Sequence, residues 1–246
     1  MDNLTLQLIL VALVTLLASY VQSVTGFGFG IFAMIFLPKI LLFTEANALS
    51  TILSTLTSVT TVALVYKRIH WKNLIFPVIG CLASTFFAVF FIKNQKNDTI
   101  TLLLGIALLL LSIYFFFFSE KIKIKPTFYA GLIAGVLSGI MGGMFSIGGP
   151  PVVIYFLQSE DNSEKYLATL SAYFIFSGII SIGAKAAAGF ITKTVLIAIA
   201  IGVVAMLVGS FVGKKTRDKT KPKTIRKAIY LVMAFSGITN IITSLL

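Results

Sequence analysis

Two glycine-rich segments interrupt long apolar stretches, and small polar side chains lie beside both. The longer segment runs from Ser138 to Pro151 and holds five glycines before its two final prolines. The shorter one is Gly26-Phe27-Gly28-Phe29-Gly30. Glycine and proline disfavour a continuous helix interior, so each segment predicts a break from which a new helix starts. The unpaired N–H groups and the positive dipole end of a helix start favour a bound anion.

We predict a substrate-binding site formed by these two breaks and by hydroxyls of the apolar runs that follow them. The predicted residues are Gln22, Ser23, Thr25, Gly26, Gly28, Gly30 and Ser54 in the first half, and Ser146, Gly148, Gly149, Pro150 and Ser171 in the second. For any single serine or threonine the competing interpretation is helix packing, because small and hydroxyl residues let membrane helices approach closely. Gly131, Gly135 and Gly139, spaced by four residues, favour packing over binding.

Charged side chains are scarce inside the apolar runs. The carboxylates, Glu45 and Glu160 among them, fall in or next to the connections, where we expect solvent nearby. A cation site would normally offer deep carboxylates, so their absence favours an anion that is bound without a buried cationic side chain. Lys185 is the most deeply placed cation. We expect it to snorkel to the surface, with attraction of an anion at a pathway entrance as the alternative.

The same scarcity argues against catalysis and metal binding. An enzyme needs a positioned acid, base or nucleophile, and the apolar runs offer hydroxyls without a deep histidine or aspartate partner. The single histidine, His70, is a poor metal site by itself. We therefore expect no catalytic residues, no metal and no cofactor, although a membrane-embedded enzyme stays a rival hypothesis.

The elements that carry these residues must be membrane helices. Of the 246 residues, 58% are hydrophobic and only 11% are charged, and the mean hydropathy is +1.01. Such a chain has too little polar surface for a water-soluble globule. The net charge of +12 comes from short Lys/Arg clusters between apolar runs, so we expect the lipid bilayer as a partner and no nucleic acid.

The order of the apolar runs predicts a duplication within a single membrane domain. They lie at about 4–22, 27–43, 47–66, 72–92, 99–118, 127–145, 150–158, 166–188, 192–213 and 225–245. The second and seventh runs are short and follow the breaks, as half-helices would. A shift of about 120 residues superimposes the two breaks, which predicts repeat one at about 4–119 and repeat two at about 127–246.

The distribution of positive charge predicts how the chain crosses the membrane. Three basic clusters share one side only if each interrupted segment turns at its glycines and returns: Lys67-Arg68-Lys72, Lys121-Lys123-Lys125, and a cluster spread over 214–227. We expect that side to be cytoplasmic and both termini to be outside. The predicted fold is an all-α polytopic membrane protein with two inverted repeats of about four helices, each opening with a broken re-entrant helical hairpin.

The glycine-rich segments resemble those of the sulfite exporter TauE/SafE family of membrane permeases. The resemblance rests on Thr25 to Gly30 and, more specifically, on the stretch from Gly142 to Tyr155. Family members often carry a Gly-Gly-Gly run with a later proline in both halves. This chain departs from that pattern in the first half, where glycine alternates with phenylalanine and the only proline of the short apolar run that follows is Pro38.

The resemblance implies a plasma-membrane exporter of small sulfur-containing anions such as sulfite or sulfonates. Together with the two breaks, it predicts alternating access around a central anion site. The alternatives are a permease for a different small anion or ion, a membrane-embedded enzyme, and a structural subunit without transport. The oligomeric state, the coupling ion and the transport direction stay open.

Overall fold

The computed structural model describes residues 3–117, 125–217, 219 and 222–245, and within these ranges every regular element is a helix. In chain order the α-helices are α1 Asn3–Thr25, α2 Phe29–Phe36, α3 Phe43–Val65, α4 Trp71–Lys93, α5 Asn97–Phe117, α6 Phe128–Phe145, α7 Gly149–Ser159, α8 Ser163–Ala188, α9 Lys193–Thr216 and α10 Pro222–Leu245. Eight helices of this described part are long and apolar enough to cross a membrane. The exceptions are α2 and α7, which form at the two short apolar runs.

Backbone geometry explains why the chain breaks before α2 and α7. Gly26 and Gly28 have φ angles of 85° and 101°, and Ser146 has a φ of 58°. These values fall in the left-handed region, which glycine enters without steric cost. Pro150 lies in the first turn of α7, where a missing N–H group costs little. Each break therefore ends one helix and starts the next within three residues.

Each short helix leads the chain back along the helix before it. The Gln7 side chain in the second turn of α1 donates a hydrogen bond to the carbonyl of Ile40, 2.7 Å away. In the second half, the Tyr155 ring of α7 lies beside Gly131 in the first turn of α6. In both halves the end of the short helix therefore lies near the beginning of the preceding long one.

Helix packing follows the same scheme in both halves. The first helix of each half packs against the fourth helix of the other, in the pairs α1 with α9 and α4 with α6. The third helices, α3 and α8, pack together, and so do the fifth, α5 and α10. Helix boundaries agree as well. The end of α1 lies 120 residues before the end of α6, and the starts of α2 and α3 lie 120 residues before those of α7 and α8.

Glycines allow the two cross-half pairs to approach backbone to backbone. A Cβ atom on Gly135 of α6 would lie 2.7 Å from the carbonyl carbon of Pro77 in α4. A Cβ atom on Gly139 would lie 2.8 Å from the carbonyl oxygen of Cys81. The same geometry recurs where Gly209 of α9 meets Leu16 of α1. Gly135 therefore serves packing, as predicted. Gly139 packs on α4 too, but it also lines the cavity between the two breaks.

Contacts between connections define the two ends of the bundle. At one end Arg68 lies 3.5 Å from Glu164, and Asn73 donates to the carbonyl of Ser159 at 2.9 Å. Lys214 donates to the carbonyl of Thr60 at this end. The predicted basic residues Lys121, Lys123 and Lys221 lie outside the described residues, as do the side chains of Lys223 and Arg226. Lys39, Lys93, Lys96 and Lys193 belong to the opposite end.

Candidate functional site

The two helix breaks lie against each other. Gly30 is in the first turn of α2, and a Cβ atom on it would overlap the carbonyl oxygen of Ser146 in the second break. Gly149, the first residue of α7, lies beside the Phe27 ring of the first break. Two helix starts from different halves thus adjoin in the interior of the bundle.

A cavity of about 70 Å³ opens between these helix starts. A cavity of this volume holds several water-sized groups, since a single water molecule needs about 10–15 Å³. Its polar lining consists of hydroxyl groups, one amide side chain and glycine backbone, and no carboxylate of the described residues contributes to it. Exposed backbone N–H groups and hydroxyls donate hydrogen bonds to a small anion without any change of protonation.

Seven of the twelve predicted residues line this cavity. They are Gln22, Gly28, Gly30, Ser54, Ser146, Gly148 and Gly149. Six further wall residues with hydroxyl groups are outside the predicted set: Thr51, Thr55, Thr85, Ser138, Ser177 and Ser181. Their hydroxyls were visible in the sequence, but which of them face the cavity depends on how α3, α4, α6 and α8 are rotated.

The other five predicted residues lie behind the lining. Thr25 braces the first break, because its hydroxyl is 2.9 Å from the Val21 carbonyl and 2.6 Å from the Phe27 carbonyl. Ser23 faces Gly213 of α9, and Gly26 lies beside Leu167 of α8. Pro150 and Ser171 are buried within α7 and α8.

Two hydrogen bonds of the Gln22 side chain fix one wall of the cavity. The Gln22 side-chain amide nitrogen donates to the Ser58 hydroxyl at 2.8 Å, and the Ser54 hydroxyl donates to the Gln22 side-chain oxygen Oε1 at 3.0 Å. Gln22 is near the end of α1, and Ser54 and Ser58 are in the middle of α3. The two hydrogen bonds therefore connect these helices. Ser54 therefore reaches the cavity in a defined orientation.

Two side chains outside the predicted set, Tyr173 and Asn47, hold the second break. Tyr173 of α8 donates to the Ser138 hydroxyl at 2.8 Å, and Ser138 donates to the Gly148 carbonyl at 2.5 Å. Asn47 of α3 donates to the Met144 carbonyl at 2.8 Å, which satisfies a free carbonyl at the end of α6. The second break is thereby fixed from both α3 and α8.

Lys185 corrects one expectation about charge. Its side chain is 0% exposed, so the preferred prediction that it snorkels to the surface is wrong. The ammonium group donates to the Thr51 hydroxyl and, at 3.4 Å, to the Gly142 carbonyl. Both partners line the cavity. The expectation of an anion site without a buried cationic side chain nearby is therefore also wrong.

Two carboxylates depart from the expected solvent exposure. Glu45 in the first turn of α3 is only 7% exposed and accepts a hydrogen bond from Thr192 at 2.6 Å. The Glu160 side chain is buried as well and lies 3.2 Å from the His70 ring. Both residues lie near the ends of the bundle, away from the cavity. The described residues contain no cluster of three or more His, Cys, Asp or Glu side chains that would hold a metal ion.

Comparison with known proteins identified a family model and a curated relative. The family model described as "Sulfite exporter TauE/SafE" matches residues 11–239. A curated protein of Cupriavidus necator, named "Probable sulfite/organosulfonate exporter TauE", is 25% identical over 203 residues, which cover 77% of this chain and 76% of that protein. No solved structure was found to match the chain significantly. The family is one of transporters and not of enzymes. This multi-pass membrane protein therefore belongs to the sulfite exporter TauE/SafE family.

Proposed function

We propose that the protein exports small sulfur-containing anions, sulfite or organosulfonates, across the plasma membrane. The observation that carries the proposal is the meeting of two helix starts, α2 at Gly30 and α7 at Gly149, around a cavity that no carboxylate of the described residues lines. Helix starts and hydroxyls select the sign of the ligand's charge. The family and the name of the C. necator relative supply the class of anion.

The proposed mechanism is alternating access by two inverted repeats within one transporter domain. Three observations support it: the helix boundaries recur after 120 residues, each short helix returns toward the start of the long helix before it, and the helix pairs match between halves. Broken helices at matching positions of two halves are typical of a transporter's binding site. Rocking of the halves would open the cavity to each side in turn.

We propose that the end of the bundle bearing Lys67 and Lys215 faces the cytoplasm, with both termini outside. The positive-inside tendency supports this orientation, because most described basic side chains belong to that end. In a cell with a negative interior, each negative charge that leaves gains about 2.3 kcal/mol per 100 mV. The membrane potential is therefore sufficient to drive export of a monoanion.

Flux into liposomes tests the proposal. Purified protein is reconstituted, a potassium diffusion potential of either sign is imposed with valinomycin, and uptake of labelled sulfite, methanesulfonate, sulfate and chloride is followed. We expect sulfite or methanesulfonate uptake that is faster with a positive interior and saturates with concentration. Preference for chloride or sulfate would indicate an anion permease of another class, and absence of anion flux at either potential would contradict transport by this site.

A further inference from the structure

Lys185 is a buried lysine for which the described residues provide no acidic partner. It lies in α8 with no exposed surface, and among the described residues no carboxylate forms an ion pair with it. Its neighbours at the same end, Lys39, Lys93, Lys96 and Lys193, are all exposed. A buried charge is unfavourable unless it is paired and hydrogen-bonded. The two neutral oxygens that Lys185 contacts leave the positive charge uncompensated.

The charge is connected to the cavity through two hydroxyl groups. Lys185 donates to Thr51, and the Thr51 hydroxyl oxygen lies 2.9 Å from that of Ser146 in the second helix break. Thr51, Ser146 and Gly142, the second partner of Lys185, all line the cavity. An anion in the cavity would therefore be separated from the ammonium group by a single layer of side chains.

The Thr51 hydroxyl has three polar neighbours and only one hydrogen to donate. It accepts from Lys185, lies 2.9 Å from the Asn47 carbonyl and lies 2.9 Å from Ser146. If Thr51 donates to Asn47, then Ser146 must donate to Thr51. If Thr51 turns to donate to Ser146, the Ser146 hydrogen becomes free to point into the cavity. An anion favours the second arrangement, because it accepts that hydrogen bond.

We propose that Lys185, in its protonated form, supplies the positive charge that restricts the cavity to anions, acting through the hydroxyls of Thr51 and Ser146. This inference rests on the proposed transport of anions and identifies the charge that compensates the substrate. Only the second half supplies it, because the residue 120 positions before Lys185 is Val65. Lys185 is a positioning residue behind the wall, so it acts on the sign of the ligand's charge more than on the ligand's shape.

A pair of ligands with similar shapes and different charges tests this role. Methanesulfonate is a monoanion, and dimethyl sulfone is a neutral molecule of nearly the same size. Binding of each to the purified full-length protein is measured by calorimetry and by thermal shift. The variants are Lys185→Met, which removes the charge, and Lys185→Gln, which removes it but keeps a donor for Thr51. Lys96→Met, at an exposed position of the same end, is the control.

We expect the wild type and Lys96→Met to bind methanesulfonate more tightly than dimethyl sulfone. Both Lys185 variants should weaken methanesulfonate binding by roughly tenfold or more and lose that preference, because the charge acts over a short distance in a poorly screened interior. A merely structural role would change both ligands alike. If either folded Lys185 variant keeps the wild-type preference, the inference is wrong and the transport proposal stands. A wild type that binds neither methanesulfonate nor sulfite would overturn both.

Discussion

Gly30 is a residue at which the two halves approach each other closely. Its missing side chain leaves room for the backbone carbonyl of Ser146, which cannot move aside as a flexible side chain could. Ser146 in turn has a positive φ angle that its own neighbours maintain. The geometry of the site therefore depends on the absence of atoms at one position as much as on the groups present.

Substitution of Gly30 by alanine should separate the two helix breaks. The added Cβ atom would overlap the Ser146 carbonyl, so we expect Gly30→Ala to lower stability by about 1–3 kcal/mol and to reduce anion flux strongly. The measurements are thermal unfolding in detergent and flux in liposomes. Gly183→Ala is the matched control, because a Cβ atom on Gly183 of α8 meets nothing within 4 Å. It should be neutral or stabilise by up to about 1 kcal/mol. Equal effects of the two substitutions would contradict this account.

Features that depend on a few neighbouring residues could be predicted from the sequence. The breaks at Gly28 and Ser146 follow from composition over a few residues. The contacts of Asn47 with α6 and of Lys185 with α3 join residues far apart in the chain. No local sequence pattern indicates such contacts. The general preference of lysine for the surface led to the wrong prediction that Lys185 is exposed.

At the scale of elements, the cross-half pairs α4 with α6 and α1 with α9 are the closest helix contacts. Each pair runs parallel, since successive contacts advance along both helices in the same direction. Small residues rather than interdigitating side chains create these interfaces, which is the usual solution in membranes. The breaks follow α1 and α6, so each pair holds one helix that ends at a break against a long helix of the other half.

Both glycine interfaces should respond alike to an added methyl group. Gly135→Ala would place its Cβ atom against the Pro77 backbone, and Gly209→Ala would do so against Leu16. We expect each substitution to lower thermal stability by about 1–3 kcal/mol. Ile133→Ala is the control, because Ile133 of α6 is 59% exposed. It should change stability by less than about 0.5 kcal/mol. If only one glycine is sensitive, the two interfaces are not equivalent.

The number and order of the elements could be predicted from hydropathy. The apolar runs locate all eight long helices to within a few residues, and the two short runs locate α2 and α7. Which helix packs on which could not be predicted, because several glycine-containing faces were available as partners. Gly135 indicated a close contact, but only the structure identifies Pro77 as its neighbour.

For the whole molecule, charge divides the bundle into two unlike ends. The end that contains Lys67 and Lys215 carries most of the described basic side chains, and the other contains Lys39 and Lys193. In the proposed topology α1 and α2 together return to the side from which α1 starts, and so do α6 and α7, which leaves three complete crossings in each half. This odd number would give the two halves opposite orientations. The orientation of the whole bundle in the membrane is therefore accessible to a labelling experiment.

Cysteine labelling in intact cells should distinguish the two ends. The single native cysteine, Cys81, is buried and is replaced first by Cys81→Ala. In that background we expect Lys39→Cys and Lys193→Cys to react with a membrane-impermeant maleimide from outside. Lys67→Cys and Lys215→Cys should react only after the membrane is permeabilised. All four positions are exposed in the structure, so the opposite pattern would invert the proposed orientation. Labelling of Lys67→Cys and Lys215→Cys from opposite sides would refute the returning hairpin of the second half, because only that hairpin and four complete crossings separate them.

The exchange of partners between halves has a consequence for biosynthesis. When the ribosome has completed α4, the glycine-bearing helix that covers it, α6, has not yet been made, and α1 must wait longer still for α9. The first half therefore enters the bilayer with two of its tightest interfaces open to lipid. Native assembly is a late event that follows insertion of α9, and a nascent chain stalled earlier should remain a substrate for membrane quality-control proteases.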